Sequence, residues 1–337
     1  MTSNEIVETK RRKIGDLLSK SEIEYFRARS DWRGYWAVFS VWATIIASFV
    51  IMALAVESLP IWAAALVVSA GMMVLGGRHL ALAILMHEAA HSSLFKTRWL
   101  NDVFTNWVSA KFIWNDVHKF RAHHLVHHAN TTASFDPDRP IYEPLPVSRA
   151  SLSRKFLRDV IGLTGLKFLL GRILMSAGVL KWSDAIADRA DTKGWPLHRY
   201  LITFVKDFWP TALTNVLLFL ALSMSGNAWL YGCWVLAYLI PFIVFVRIRA
   251  MAEHGCMEMV PDPLRNTRTT RAGVLARMTV APICVNYHQE HHIMAATPYY
   301  RLPALHKALR KAGHVASPPS YLDVLRIVST LPEGQIA

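Results

Sequence analysis

Four stretches of this chain carry no charged side chain and are long enough to cross a bilayer, and that restricts its folds more than any other feature. They are Tyr35–Val56, Ile61–Gly77, Trp209–Asn227 and Ala228–Val246. A hydrocarbon core about 30 Å thick needs roughly 17–25 helical residues to cross it. The second run qualifies when its helix continues past Arg78. Buried helices of a large soluble protein ordinarily keep an amphipathic stripe, and these runs keep none. Glu57-Ser58-Leu59-Pro60 separates the first pair and Ser223-Met224-Ser225-Gly226-Asn227 breaks the second. Two helical hairpins are therefore expected, with spans near 35–56, 61–86, 209–225 and 228–246.

Neither short connection contains Lys or Arg, and the 37 basic residues gather elsewhere. By the positive-inside rule, both termini and the long middle segment 87–206 lie in the cytosol. The net charge of +13 then marks a membrane protein resting against an anionic inner leaflet, in a bacterium the cell membrane. Nothing resembles a DNA- or RNA-binding motif, so nucleic acid is not an expected partner. The organisation expected is a polar arm at 1–34, containing Lys10-Arg11-Arg12-Lys13, a membrane domain at 35–309 with cytosolic segments 87–206 and 247–309, and a tail at 310–337. The arm lacks the short apolar core of a cleaved signal. Cys233, Cys256 and Cys284 form no CxxC pair, which argues against a disulfide framework or a thiolate metal site.

Ser151–Leu180 reads as one helix, with Leu152, Phe156, Val160 and Leu163 at helical spacing among Lys155, Arg158, Lys167 and Arg172. Such a helix lies in the headgroup region or packs on a cytosolic domain. Pro303, Pro318 and Pro319 read as breaks in the last segment.

Of fifteen histidines, eight fall in three clusters: His87-Glu-Ala-Ala-His91, His124-Leu-Val-His127-His128 and His288-Gln-Glu-His291-His292. Helical residues three or four apart share a face, so each cluster can aim two or three imidazoles at one point. One zinc takes about four ligands, and eight suit two ions with positions left open. Imidazole ligates iron, copper, nickel and zinc, so spacing leaves the metal open. All three clusters fall on one side of the expected membrane, as a shared site requires.

HxxxH, HxxHH and HxxHH, placed after the second and fourth apolar runs, resemble the membrane fatty acid desaturase superfamily. Asn130-Thr131 and Asp136-Pro137-Asp138 after the second box agree with it. So do Asn286-Tyr287 before the third box and Tyr299-Tyr300-Arg301-Leu302-Pro303-Ala304-Leu305-His306 after it. The likeness extends from Trp36 to Leu309; Ala295 and Ala296 depart from it where many relatives carry a proline. It implies an all-α membrane protein, four transmembrane helices in two hairpins under a cytosolic helical cap that holds two irons (Fe2+/Fe3+). The implied ligands are His87, His91, His124, His127, His128, His288, His291 and His292, with His254 as a ninth. His123 has acceptable spacing too, but the family pattern favours His124. Glu88, Glu253 and Glu290 are either carboxylates that orient imidazoles or plain surface residues, and Asp136 and Asp138 are candidates for tying down the loop. His79, His118, His198, His306 and His314 are isolated and read as structural.

The implied reaction uses O2 as co-substrate to introduce a double bond into an acyl chain. The substrate would be an acyl-lipid, acyl-CoA or acyl-carrier protein, taken up within the membrane lipids. No haem or iron–sulfur motif is present, so electrons would come from a ferredoxin or a cytochrome b5-like protein. Phe95, Trp99, Phe104, Trp107, Phe112 and Trp114 read mainly as packing. The nearest rival is a diiron hydroxylase or ketolase acting on an alkyl or carotenoid substrate. His87-Glu88-Ala-Ala-His91 also matches the HExxH of zinc proteases, but leaves two clusters unused. A metal transporter would keep ionisable residues inside the spans, which these runs lack.

Overall fold

Each uncharged run of the sequence is helical. The structure is a computed structural model that describes residues 11–185 and 188–330. Among these residues there are helices and two isolated bridges, with no strand. Lys10, the other nine residues at the start of the arm and the end of the tail from 331 lie outside the described residues.

The arm ends in α1 (Lys20–Arg27), started by a reciprocal Ser19–Glu22 cap. The first hairpin is α2 (Asp31–Ser58) and α3 (Ile61–Ala90), joined at Leu59-Pro60. The middle segment folds into α4 (Thr105–Val108), α5 (Val117–Asn130), α6 (Arg139–Tyr142), α7 (Arg149–Val160) and α8 (Leu163–Ser176). Then follow α9 (Leu197–Met224), α10 (Trp229–Leu239) and α11 (Pro241–His254). The remainder holds α12 (Pro263–Asn266), α13 (Val274–Met278), α14 (His288–Ile293), α15 (Leu302–Lys311) and α16 (Tyr321–Val328).

Among the described residues, four helices are long and apolar enough to cross a membrane: α2, α3, α9 and the run Trp229–His254. Their outer faces show Ile46, Val50 and Leu54 on α2 and Leu213, Val216 and Leu220 on α9, all exposed. An apolar sheath of this extent fits a lipid solvent better than water.

At 1.5 Å per residue the 30 residues of α3 span about 45 Å, some 15 Å more than the hydrocarbon core. The overhang is sheathed by the chain itself, since α3 is buried almost all round from Leu75 to Ala90. Gly76 and Gly77 allow this close packing. A Cβ on Gly76 would stand 2.7 Å from Pro241, and one on Gly77 would stand 2.0 Å from the Met278 carbonyl oxygen. Next to them, buried Arg78 donates to the carbonyls of Arg277 and Met278 at 3.0 Å each. The one charge interrupting the second run is thus turned inward, where it holds the segment leading to the third histidine box.

Several expectations need correction. The helix expected over 151–180 is two, because Gly162 adopts φ +79 between α7 and α8. The third long helix begins at Leu197, well before 209, and Pro210 lies inside it. The fourth is interrupted at Ile240–Pro241, where proline has no N–H to continue the ladder. Pro303 does not break the last segment but sits in the first turn of α15, where its fixed φ favours helix initiation.

Candidate metal centre

The histidine boxes meet because polar groups at helix ends need partners. The last carbonyls of a helix have none within it, and α3 finds them on α5. Arg121 donates to Ala90 O at 2.7 Å and Ala89 O at 2.9 Å, and also pairs with Asp102 at 2.5 Å. That fixes the first box one turn from His124. Glu88 at the same helix end accepts from Ser93 Oγ at 2.8 Å and from the Tyr299 backbone N–H at 3.2 Å. The first box is thereby tied to the loop behind the third.

The imidazoles sort into two groups. In the first, single ring nitrogens of His87, His91, His124, His128 and His291 all lie within 4.8 Å of one another. The second centres on His254, which is gathered with His127 and His292 and also with Glu253 and His288. Helical geometry explains the division. In each HxxHH box the first and last histidines, four apart, share a face, while the middle one points aside. His124 and His128 enter the first group and His127 the second. In the third box the roles invert, with His288 and His292 in the second group and His291 in the first.

Nε2 of His128 is 3.0 Å from that of His124 and 3.1 Å from that of His291, and Nε2 of His288 is 2.8 Å from that of His254. Adjacent ligands about 2.1 Å from one ion stand roughly 3 Å apart. The Nε2 atoms of His87, His91 and His292 are buried with no hydrogen-bond partner. A buried polar group left alone costs about 1–3 kcal/mol. Several such groups converging on two points fit a pair of bound cations. Burial, reinforced by neighbouring imidazoles, holds His124, His128, His288, His291 and His292 well below the usual histidine range. Burial likewise lowers His91 to about 3. The rings are neutral, with lone pairs free for a metal.

Carboxylates back several of them. His127 Nδ1 donates to Asp136 Oδ1 at 2.8 Å, and Asp136 is itself held by Tyr142 OH at 2.5 Å and by the Thr132 backbone N–H at 3.0 Å. Asp136 therefore both orders the loop, as expected, and orients a box histidine. Burial works to raise the Asp136 carboxyl, but the His127 and Tyr142 contacts prevail and set it at about 2. Glu253 lies 3.4 Å from His288 Nδ1 and is clamped by Arg249 at 2.6 Å. Glu290 lies farther out, taking bonds from Thr269 and from His306 Nδ1 at 2.7 Å. His306 reads as isolated in the sequence, yet it is buried and bonds a carboxylate of the third box. Only its place in the stretch after the third box pointed to it. His123 stays out of both groups, its Nε2 bonding Asp138 at 2.9 Å.

A cavity of about 510 Å³ opens onto both groups through His87, His124, His127, His254 and His288, and runs on between Leu80, Phe168, Tyr238 and Phe242. Of the aromatic residues singled out beside the boxes, none lines it. A second pocket of about 310 Å³ reaches His128 and His292. Arg11 at its rim donates to the carbonyls of His128 and Ala129 at 3.2 Å each.

A family model described as fatty acid desaturase matches residues 60–319. No curated protein matches the chain.

Proposed function

As the chain belongs to the fatty acid desaturase family, we propose that it is an O2-dependent desaturase that introduces a C=C bond into an acyl chain. The observation that carries this reading is the opening of both histidine groups onto one mostly apolar cavity of about 510 Å³. A chain of methylenes is the substrate such a space favours, because burial of apolar surface is its main source of binding energy.

In this reading His87, His91, His124, His128 and His291 hold one iron, and His127, His254, His288 and His292 hold the other. The irons, when bound, supply the chemistry that removes hydrogen from an unactivated methylene with dioxygen and outside electrons. The protein's own work is positional. Asp136 and Glu253 fix the tautomer and direction of His127 and His288. Phe168, Tyr238 and Phe242 exclude water and align the chain beside the histidines. Glu88, bonded to Ser93 and to the Tyr299 N–H, is not placed as the free base a zinc protease needs. The absence of Lys and Arg from the two short connections supports cytosolic termini and a cytosolic metal centre in a multi-pass domain over 35–309. A small one-electron carrier, a ferredoxin or cytochrome b5-like protein, supplies the electrons.

The test is expression in a host lacking such enzymes, followed by mass spectrometry of total lipids. New unsaturated chains are expected, absent when His127→Ala replaces the wild type, and about two irons per purified chain. Oxygenated chains in their place would make the protein a hydroxylase or ketolase.

A further inference from the structure

The cavity carries charges that an acyl chain does not need. Most of its lining is apolar, yet Lys155, Arg172, Arg247 and Arg249 also face it, together with Asp138, Asp184 and Glu253. Three of the four cations are neutralised: Arg172 by Asp184, Arg247 by a bidentate pair with fully buried Asp159, and Arg249 by Glu253. Lys155 has no hydrogen bond or ion pair among the described residues. Burial and two cations, Arg247 and Arg158, lower its ammonium from the ordinary lysine value. Pro140, Ile141 and Pro144, which are exposed and also line the cavity, bring no charge. Glu143 between them is engaged by Arg139 at 2.7 Å.

The position of Lys155 adds a second constraint. It lies on α7, which continues into α8, and this pair exposes Leu157, Val160, Leu163, Leu166 and Leu170 outward. Exposed Arg154, Arg158 and Lys167 are interspersed with them. An apolar face studded with cations is how a helix lies at headgroup depth. The uncompensated ammonium therefore stands where the cavity meets the bilayer surface. At that depth the abundant anion is phosphate.

We propose that Lys155, assisted by Arg158, anchors a phosphate group of the substrate at the cavity rim while the acyl chain lies inside along the histidines. This rests on reading the cavity as an acyl channel. The phosphate belongs either to a lipid headgroup or to the carrier of an acyl thioester.

Binding to the purified full-length protein tests this without turnover, using stearoyl lysophosphatidylglycerol, stearoyl-CoA and uncharged monostearoylglycerol as probes. Lys155→Gln is expected to weaken the phosphate-bearing probes about tenfold, to leave monostearoylglycerol unchanged, and to be rescued by Lys155→Arg. Tighter binding of the lysolipid by the wild type assigns the phosphate to a lipid; tighter binding of the CoA ester assigns it to a thioester carrier. Both rankings support the site, provided the charge dependence holds. Unchanged phosphate binding in Lys155→Gln overturns the proposal, and so does an equal loss for all three probes. If the binding pattern appears but the wild type makes no unsaturated product, the desaturase reading fails while the anion site stands.

Discussion

At the scale of single residues, the structure places apart two histidines that spacing leaves equivalent. His123 and His124 are both within helical reach of His127 and His128, but successive helical residues diverge by about 100°. Only His124 turns into the first histidine group, while His123 bonds Asp138. His124→Gln is accordingly expected to strip metal from the purified protein and His123→Gln to retain it, as measured by metal content per chain. Equal loss in both would place His123 among the ligands. Asp136→Asn keeps the shape but weakens the acceptor for His127 Nδ1. Loss of a carboxylate that orients a ligating imidazole typically costs 10–100-fold in metal affinity, so a chelator titration should shift by about that factor. A variant that resists the chelator as well as the wild type would leave Asp136 with only its loop bonds to Thr132 and Tyr142.

At the scale of elements, the metal centre depends on how closely the segment before the third box lies against α3. Gly77 and Arg78 set that approach, one by having no side chain and the other by bonding two carbonyls. A Cβ 2.0 Å from the Met278 carbonyl oxygen meets backbone, which cannot swing away as a flexible side chain can. Gly77→Val should therefore cost about 1–3 kcal/mol, seen as a lower unfolding temperature, together with reduced metal retention as the third box shifts. Full stability and full metal content would show that the segment moves freely. The sequence marked Arg78 as the place the second helix had to pass, because an arginine beside an apolar run is visible there. It did not show that Gly162 divides the helix expected over 151–180, since the hydrophobic spacing continues across the break and only the positive φ there reveals it.

At the scale of the whole molecule, four segments far apart in sequence are joined at two points by their imidazoles. Without bound cations, several buried ring nitrogens have no partners. Ligands that bind only the folded state stabilise it by about 2.7 kcal/mol when present at a hundred times their dissociation constant. Chelation should lower the unfolding temperature, and resupplied ferrous iron should restore it. Identical unfolding with and without metal would mean that the histidine groups do not hold ions tightly.

The run lengths, the hairpin pairing and the three boxes were legible in the sequence because each is a local property. The length of a helix against the thickness of lipid and the 3.6-residue period are both written along one strand of chain. The same period allowed each box to be seen as ligands before any partner was known. Which histidine joins which group, that Asp136 and Glu253 lie against box histidines, and that Lys155 has no partner among the described residues at the cavity rim were decided by tertiary structure. His128 and His291 are 163 positions apart in the chain, and no local pattern encodes the 3.1 Å between their nitrogens. That distance follows from Arg121 closing the end of α3 and from Gly77 admitting the chain beside it.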